Sequence, residues 1–222
     1  MRPHLNLRAR GAVMALGALC LATSLVVLPG TARSDTTTGT AHAAVAADIT
    51  PGKSRLNVLA GRRAAVSGRL RSGLAGRRAL LQRQSGHGWT TIDQATTRAG
   101  GAFGFEFRPQ RPGSAQLRVL VDAARRQIGR LNVYRRAAVS WYGPGLYGNK
   151  LSCGGRLTPG TLGVAHKTLP CGTHVTLRKG DRVIRVRVVD RGAYVGGREF
   201  DLTSATRSRL HFRGVGSLLV AS

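Results

Sequence analysis

The sequence predicts an all-β protein: a small β-sandwich followed by a small closed barrel. Three observations carry that reading. Short alternating segments recur between glycine turns from residue 48 onward. Phe103, Phe105 and Phe107 put an aromatic at every second position. The C-terminal stretch fits six short strand patterns and one helix pattern into fewer than 90 residues. Period two places alternate side chains on one face of a strand, and closure removes the edges that many short strands would otherwise expose.

At the N-terminus, Arg2, His4, Arg8 and Arg10 form a positive opening, Ala12–Leu28 is an uncharged apolar run, and small residues follow. That order is the pattern of a secretory signal peptide, with cleavage fitting after Ala32 or after Ala43. Residues 1–43 are read as the signal and its lead-in, which places the remainder outside the cytoplasm, secreted or in the cell wall. The apolar run is at the short limit for a membrane span, so an uncleaved anchor is the alternative. Cys20 lies inside the run behind the bulky Leu19 and leaves with the signal. No stable membrane span is expected after cleavage.

Residues 48–136 read as the sandwich. Ala64–Leu70, Ala79–Gln84, Trp89–Ala95, Ala102–Arg108 and Ala115–Asp122 are strand segments, separated by turns at Gly73–Gly76, Gly86–Gly88, Gly100–Gly101 and Pro112–Gly113. The three phenylalanines are expected in the core, with a sugar-stacking platform as the alternative. Residues 66–70 and 102–105 resemble immunoglobulin-like (Ig-like) modules of bacterial surface proteins, which implies a spacer or wall-adhesion role.

Residues 137–222 read as the barrel. Strands are expected at Ala137–Tyr142, Leu162–Ala165, Thr173–Arg178, Arg182–Val189, around Phe200–Leu202 and at Val215–Val220, with Thr203 or Ser204 capping a short helix that runs to Leu210. Cys153 and Cys171 are the even pair left after signal removal, and in an oxidising compartment they predict a disulfide. His and Cys are too few at short spacing for a metal site, and no cofactor is implied.

Residues 44–222 carry 31 Lys+Arg against 8 Asp+Glu, a net charge of +23 spread over both halves. Such a field attracts polyanions. Zinc-finger spacing, helix-turn-helix pattern and RNP-type aromatics are all missing, so nucleic acid is disfavoured. Peptidoglycan glycan strands or other anionic wall polymers are the expected partners. No heptad or long edge strand argues for assembly, so a monomer is expected.

Four motifs give the barrel a family resemblance. Ser140-Trp-Tyr-Gly-Pro144, Ala165-His-Lys-Thr-Leu-Pro170 with Gly172-Thr173, Val189-Asp-Arg-Gly192 and Phe200-Asp-Leu202 stand in the order and spacing of rare lipoprotein A-like proteins. A similar barrel and His/Asp arrangement occur in expansins. The resemblance implies a six-stranded double-psi β-barrel whose groove carries His166, Asp190 and Asp201 as catalytic candidates. Trp141, Tyr142, Tyr147, Arg191 and Tyr194 are candidates for substrate contact. A lytic transglycosylase must protonate a glycosidic oxygen and then help the MurNAc 6-hydroxyl attack C1, work that one carboxyl group can perform in turn. His166 is read as a hydrogen-bond partner of Asp190 or of a sugar hydroxyl. The plainer reading makes Asp190 a turn residue and His166 a packed structural histidine.

The sequence departs from the family at Cys153 and Cys171, a paired change that supports the disulfide, and at two acidic positions. Active relatives carry a Glu, and an Asp three residues later, where this chain has Gly155 and Thr158. Wall binding, with lytic activity resting on Asp190, is therefore the leading expectation. Non-catalytic wall loosening and a protein-interaction barrel are the alternatives.

Overall fold

A computed structural model describes residues 48–222. The expected signal peptide, its cleavage sites and Cys20 lie outside the described residues. In chain order the strands are β1 (Ile49–Arg55), β2 (Asn57–Leu59), β3 (Ala64–Leu70), β4 (Arg78–Ser85), β5 (Gly88–Thr96), β6 (Ala102–Phe107), β7 (Gly113–Val121) and β8 (Ala124–Tyr142). They continue as β9 (Gly163–His166), β10 (His174–Lys179), β11 (Arg182–Asp190), β12 (Phe200–Thr203) and β13 (Gly216–Ala221), with helix α1 (Ser204–Arg209) after β12.

Strands β1, β3 and β6 form a three-stranded sheet, while β5, β4, β7, the first part of β8 and β2 form a second. Both contribute to one apolar core: Val66, Leu70, Phe103 and Phe105 from the first meet Leu81, Leu117, Val119 and Val133 from the second. Phe103 and Phe105 are core residues with ring centroids 5.8 Å apart, and Phe107 packs against the same cluster. A Cβ at Gly68 would fall 2.4 Å from the Phe103 ring, so glycine there lets the ring of its paired residue lie over the β3 backbone. β1 and β2 lack the alternation that marks the other strands and were not anticipated from the sequence.

The barrel closes through six strands. β8 pairs with β13, β13 with β10, β10 with β11, β11 with β9, β9 with β12, and β12 with β8 again. Val139, Val164, Leu177, Val188, Phe200, Leu202 and Val220 fill its interior, each fully buried. α1 follows directly on β12, with the Thr203 side chain accepting from the Thr206 amide as N-cap. Arg207 and Arg209 lie in its last turn, where cations complement the helix dipole.

β8 belongs to both halves. Residues 124–133 pair with β7 and residues 135–139 with β13, with no break at the 136/137 boundary expected from composition. A polar network crosses beside it. The Asn57 Oδ1 accepts from Asn132 Nδ2 (2.9 Å) and from the Tyr134 hydroxyl (3.0 Å). Ser114 Oγ donates to Asn132 Oδ1 at 2.7 Å and lies 3.1 Å from Thr176 Oγ1 of the barrel. Among the described residues no helix is long and apolar enough to cross a membrane.

Candidate functional site

The backbone register places two acidic candidates in one row. Asp190 of β11 pairs with Ala165 of β9, Ala165 with Asp201 of β12, and Asp201 with Ser140 of β8. Directly paired residues project to the same face of a sheet. The row therefore lies on the face turned away from the apolar interior, where Val164, Phe200 and Leu202 point.

Asp190 reaches that face because of a bulge. β11 shifts register between Val188 and Asp190, so Val189 is the extra residue. Without it, Asp190 would share the inward face of Val188, which is 0% exposed. Gly163 makes room for the bulge: a Cβ there would lie 2.4 Å from Val189 Cγ2. Gly192 closes the other side of the row, with its α-carbon so near that an added Cβ would sit 3.4 Å from Asp201 Oδ2 and 3.5 Å from Ala165 Cβ.

Each carboxylate is anchored by one oxygen. Asp190 Oδ1 accepts from the backbone amides of Ser152 and Arg191, both at 2.9 Å. Asp201 Oδ1 accepts from Ser140 Oγ. Tyr142 points its hydroxyl into the same region, where it is buried and makes no hydrogen bond of normal geometry. Burial, and after it the charge of the adjacent Asp190, raise the phenol well above its ordinary value, with Asp201 adding to the effect. A neutral donor is thus held beside the Asp190 carboxylate.

His166 stands elsewhere. It pairs in register with Phe200, on the opposite face from Asp190, and its ring lies 4.6 Å from the Phe200 ring. Its Nδ1 accepts from the amides of Thr168 (3.1 Å) and Leu169 (3.0 Å), while Nε2 faces Glu199 Oε1 at 3.8 Å. The expected bond from His166 to Asp190 is not formed, because strand parity turns the two side chains to opposite faces. Glu199 is itself held by Arg135, through Nη1 to Oε2 at 2.7 Å and a second bond from Nη2 to Oε1. The Arg135 hydrogen bond depresses the Glu199 pKa, and burial depresses that of His166.

Both shifts have the same consequence for stability. His166 is held neutral in the fold, so stability is complete above its ordinary value of 6.5 and falls as the pH drops below it. Glu199 is held ionised, so a second loss begins below 4.5 and continues through its depressed folded value. Thermal midpoints measured from pH 8 down to about pH 2 are expected to decline in that order, a range that spans the ordinary carboxylate values and a depressed one. His166→Gln is expected to flatten the upper part of the profile, and an unchanged profile would remove His166 as its cause.

The remaining candidates divide between loop anchors and exposed side chains. Arg191 turns its guanidinium onto the carbonyls of His166 (3.3 Å) and Leu169 (2.9 Å) and onto Cys171 Sγ (3.2 Å), clasping that loop rather than facing the row. Trp141 is half-buried under the Arg207 guanidinium, 4.0 Å from the ring centroid. The Tyr147 hydroxyl meets Ser204 Oγ at 2.8 Å. Tyr194 is 75% exposed, at the tip of the loop that follows Asp190.

Cys153 and Cys171 form the expected disulfide, with Cα atoms 5.4 Å apart. The backbone amides of Cys153 and Gly172 bind the carbonyls of Val189 and Val188, so the bridge ties two loops to the end of β11 just ahead of Asp190. Gly155 lies in the first of these loops with φ +78°, a conformation open to glycine and strained for a side-chain-bearing residue. Thr158 is occupied with Thr161, its Oγ1 2.9 Å from that of Thr161. Replacing both cysteines by serine is expected to lower unfolding stability by roughly 3 kcal/mol, read from urea midpoints. A loss well under 1 kcal/mol would show that the loops are fixed by their backbone bonds alone (threshold roughly the size of one net hydrogen bond).

Sequence reasoning missed Glu199 and Arg135, and named Ser140 only as the first residue of a motif. The signal for Glu199 was scarcity: residues 137–222 contain only four acidic residues, and one stands next to the Phe200-Asp-Leu202 motif. Arg135 and Ser140 become visible only through the register of β8. Among the described residues no group of His, Cys, Asp and Glu is arranged to hold a metal ion.

Comparison with known proteins bears on this segment. Residues 136–221 match the family model described as lytic transglycolase. The probable endolytic peptidoglycan transglycosylase RlpA of Synechocystis is 39% identical over 120 residues, covering 48% of this chain and 37% of that protein. The endolytic peptidoglycan transglycosylase RlpA of Campylobacter jejuni is 41% identical over 80 residues, covering 35% of this chain and 29% of its own length. The corresponding Aquifex aeolicus protein is 40% identical over 79 residues, covering 35% of each chain. The chain thus spans about a third of the length of these relatives. The closed six-stranded barrel is similar to the double-psi β-barrel of these RlpA proteins. Among solved structures, a β-glucosidase from Listeria innocua aligns over 36% of this chain and 16% of its own with a TM-score of 0.21 and 16% identity, too slight a likeness to inform the fold.

Proposed function

We propose that the protein is exported and that its barrel binds peptidoglycan glycan strands across the Asp190–Asp201 row, cleaving them as a lytic transglycosylase. The observation that carries this reading is the bulge at Val189, which brings Asp190 out of the barrel interior into line with Asp201. The names of the relatives point to the same substrate.

In this reading the reactive form carries a proton on Asp190 Oδ2, the oxygen not held by the Ser152 and Arg191 amides, and donates it to the glycosidic oxygen as the bond from C1 breaks. The carboxylate then takes the proton of the MurNAc 6-hydroxyl as that oxygen bonds to C1. The products are a free hydroxyl and a 1,6-anhydro sugar, no water is consumed, and Asp190 ends protonated as it began. Tyr142, kept neutral by burial, is placed to donate to Asp190 or to the sugar. Asp201 orients a substrate hydroxyl through its free oxygen, and His166 serves as a positioning residue for the 166–171 loop. Trp141, Tyr147, Arg191 and Tyr194 shape the rim. The N-terminal two-sheet unit acts as an Ig-like spacer or adhesion module.

One observation favours a second reading, non-catalytic binding or loosening of the wall. The family resemblance implies acidic side chains where this chain has Gly155 and Thr158, and the Gly155 backbone is in a glycine conformation. Mass spectrometry of the soluble products from peptidoglycan incubated with the protein decides between the two. Anhydro-sugar fragments support the lytic reading. Their absence, with the protein retained on the sedimented wall, overturns it in favour of binding alone; release of the protein into the supernatant overturns both.

A further inference from the structure

Where β2 and the loop that follows it in the N-terminal unit meet β10 and β13 of the barrel, a cleft of about 520 Å³ opens at the polar network described above. Its wall carries Arg55, Arg62, Arg63, Arg108 and Arg178, and no acidic side chain lines it. Arg63 is paired with Glu106 at 2.9 Å. Arg178 donates through Nε to the Gly180 carbonyl at 2.8 Å and stands 3.9 Å from the fully exposed Asp181. The guanidinium groups of Arg55, Arg62 and Arg108 are exposed and have no hydrogen-bond or ionic partner among the described residues. Asn57 also lines the cleft, and its Oδ1 is already taken by Asn132 and Tyr134, which leaves its amide group as a donor.

We infer that this cleft binds a phosphodiester chain without bases, a polyol phosphate or sugar phosphate polymer. The site offers donors only, and its charged donors are guanidinium forks, which match the oxygens of a phosphate in pairs. Several such forks along one open cleft suit a repeating anion better than an isolated carboxylate. Nucleic acid is the poorer fit because its bases need exposed rings to stack on. The aromatic residue lining the cleft, Tyr134, is 1% exposed and bonded to Asn57. The floor is fixed in advance by that bond and by the shared strand β8, so ordering on binding is confined to the arginine side chains. The inference is independent of the Asp190 row.

The test compares the full chain with the variant Arg55→Gln/Arg62→Gln/Arg108→Gln and with a charge-matched control, Arg83→Gln/Arg126→Gln/Arg213→Gln. Binding is measured to poly(glycerol phosphate), polyglutamate, a single-stranded oligonucleotide and phosphatidylglycerol vesicles. The cleft variant is expected to lose about tenfold or more in affinity for poly(glycerol phosphate) with a shallower salt dependence, the control less than about threefold. Asp190→Asn is expected to bind as the parent does. Equal losses in the two triple variants would reduce the effect to net charge and overturn the site. A cleft-dependent loss that is as large for polyglutamate overturns the preference for phosphate. One larger for the oligonucleotide makes it a nucleic-acid site, and one confined to vesicles assigns it to a lipid headgroup; either result overturns the polymer.

Discussion

Asp190→Asn is expected to lower the release of anhydro-sugar products by on the order of 10³-fold, within the range that a positioned general acid-base contributes. The amide keeps an oxygen where Oδ1 now accepts from Ser152 and Arg191. The loop bearing Cys153 therefore stays in place, and the unfolding midpoint is expected to match that of the parent. What the amide lacks is a proton acidic enough to give to the leaving oxygen and the basicity to take one back. Binding to sedimented wall is expected to persist, since the change leaves the row's shape intact. Product release at the parental rate would remove Asp190 from the chemistry.

Phe200→Ala is expected to destabilise the protein by about 3–5 kcal/mol, the usual range for emptying a buried aromatic site. Phe200 is 0% exposed and sits among Val139, Val164 and Leu202, where a closed barrel has little freedom to collapse. The His166 ring rests on it at 4.6 Å. Loss of the phenyl ring therefore also frees the imidazole whose Nδ1 organises the 166–171 loop. Urea unfolding reads the stability, and the pH dependence of the midpoint reads the loop, because a mobile His166 would titrate nearer its ordinary value. A loss under about 1 kcal/mol would show that neighbouring strands fill the space, the collapse that makes such costs vary between sites.

Much of the fold was legible because burial leaves a period in the sequence. Ala64–Leu70 was bounded correctly, and the alternating phenylalanines lie in the core as expected. The capping threonine and the paired cysteines were equally readable, since each has local chemistry that announces it. β1, β2 and the first half of β8 were not, because their outward faces carry no pattern and their pairings are long-range. The site was harder. Asp190 could be singled out by its motif, but its orientation depends on Val189 being one residue too many for the partner strand. No local signal distinguishes a bulge from a regular strand end. The pairing of His166 with Asp190 failed for the same reason: parity between two paired strands is a property of the register and not of residue type. Glu199 was passed over because it lies outside every motif, although Arg135 and His166 converge on it.

The unbroken run of β8 from Ala124 to Tyr142 also bears on how this chain can be inherited. Two modules joined by a loose linker can be traded between genes at the linker, and the linker tolerates gain or loss of a residue. Here a crossover at residues 136/137 would sever a strand that is hydrogen-bonded on both sides of the cut. Adding or deleting a single codon within 132–139 would turn the faces of one half over relative to the other, exposing Val139 or burying a neighbour in its place. Gain and loss of residues is thereby confined to the loops, and any sequence joined to either half must continue β8 in the same register.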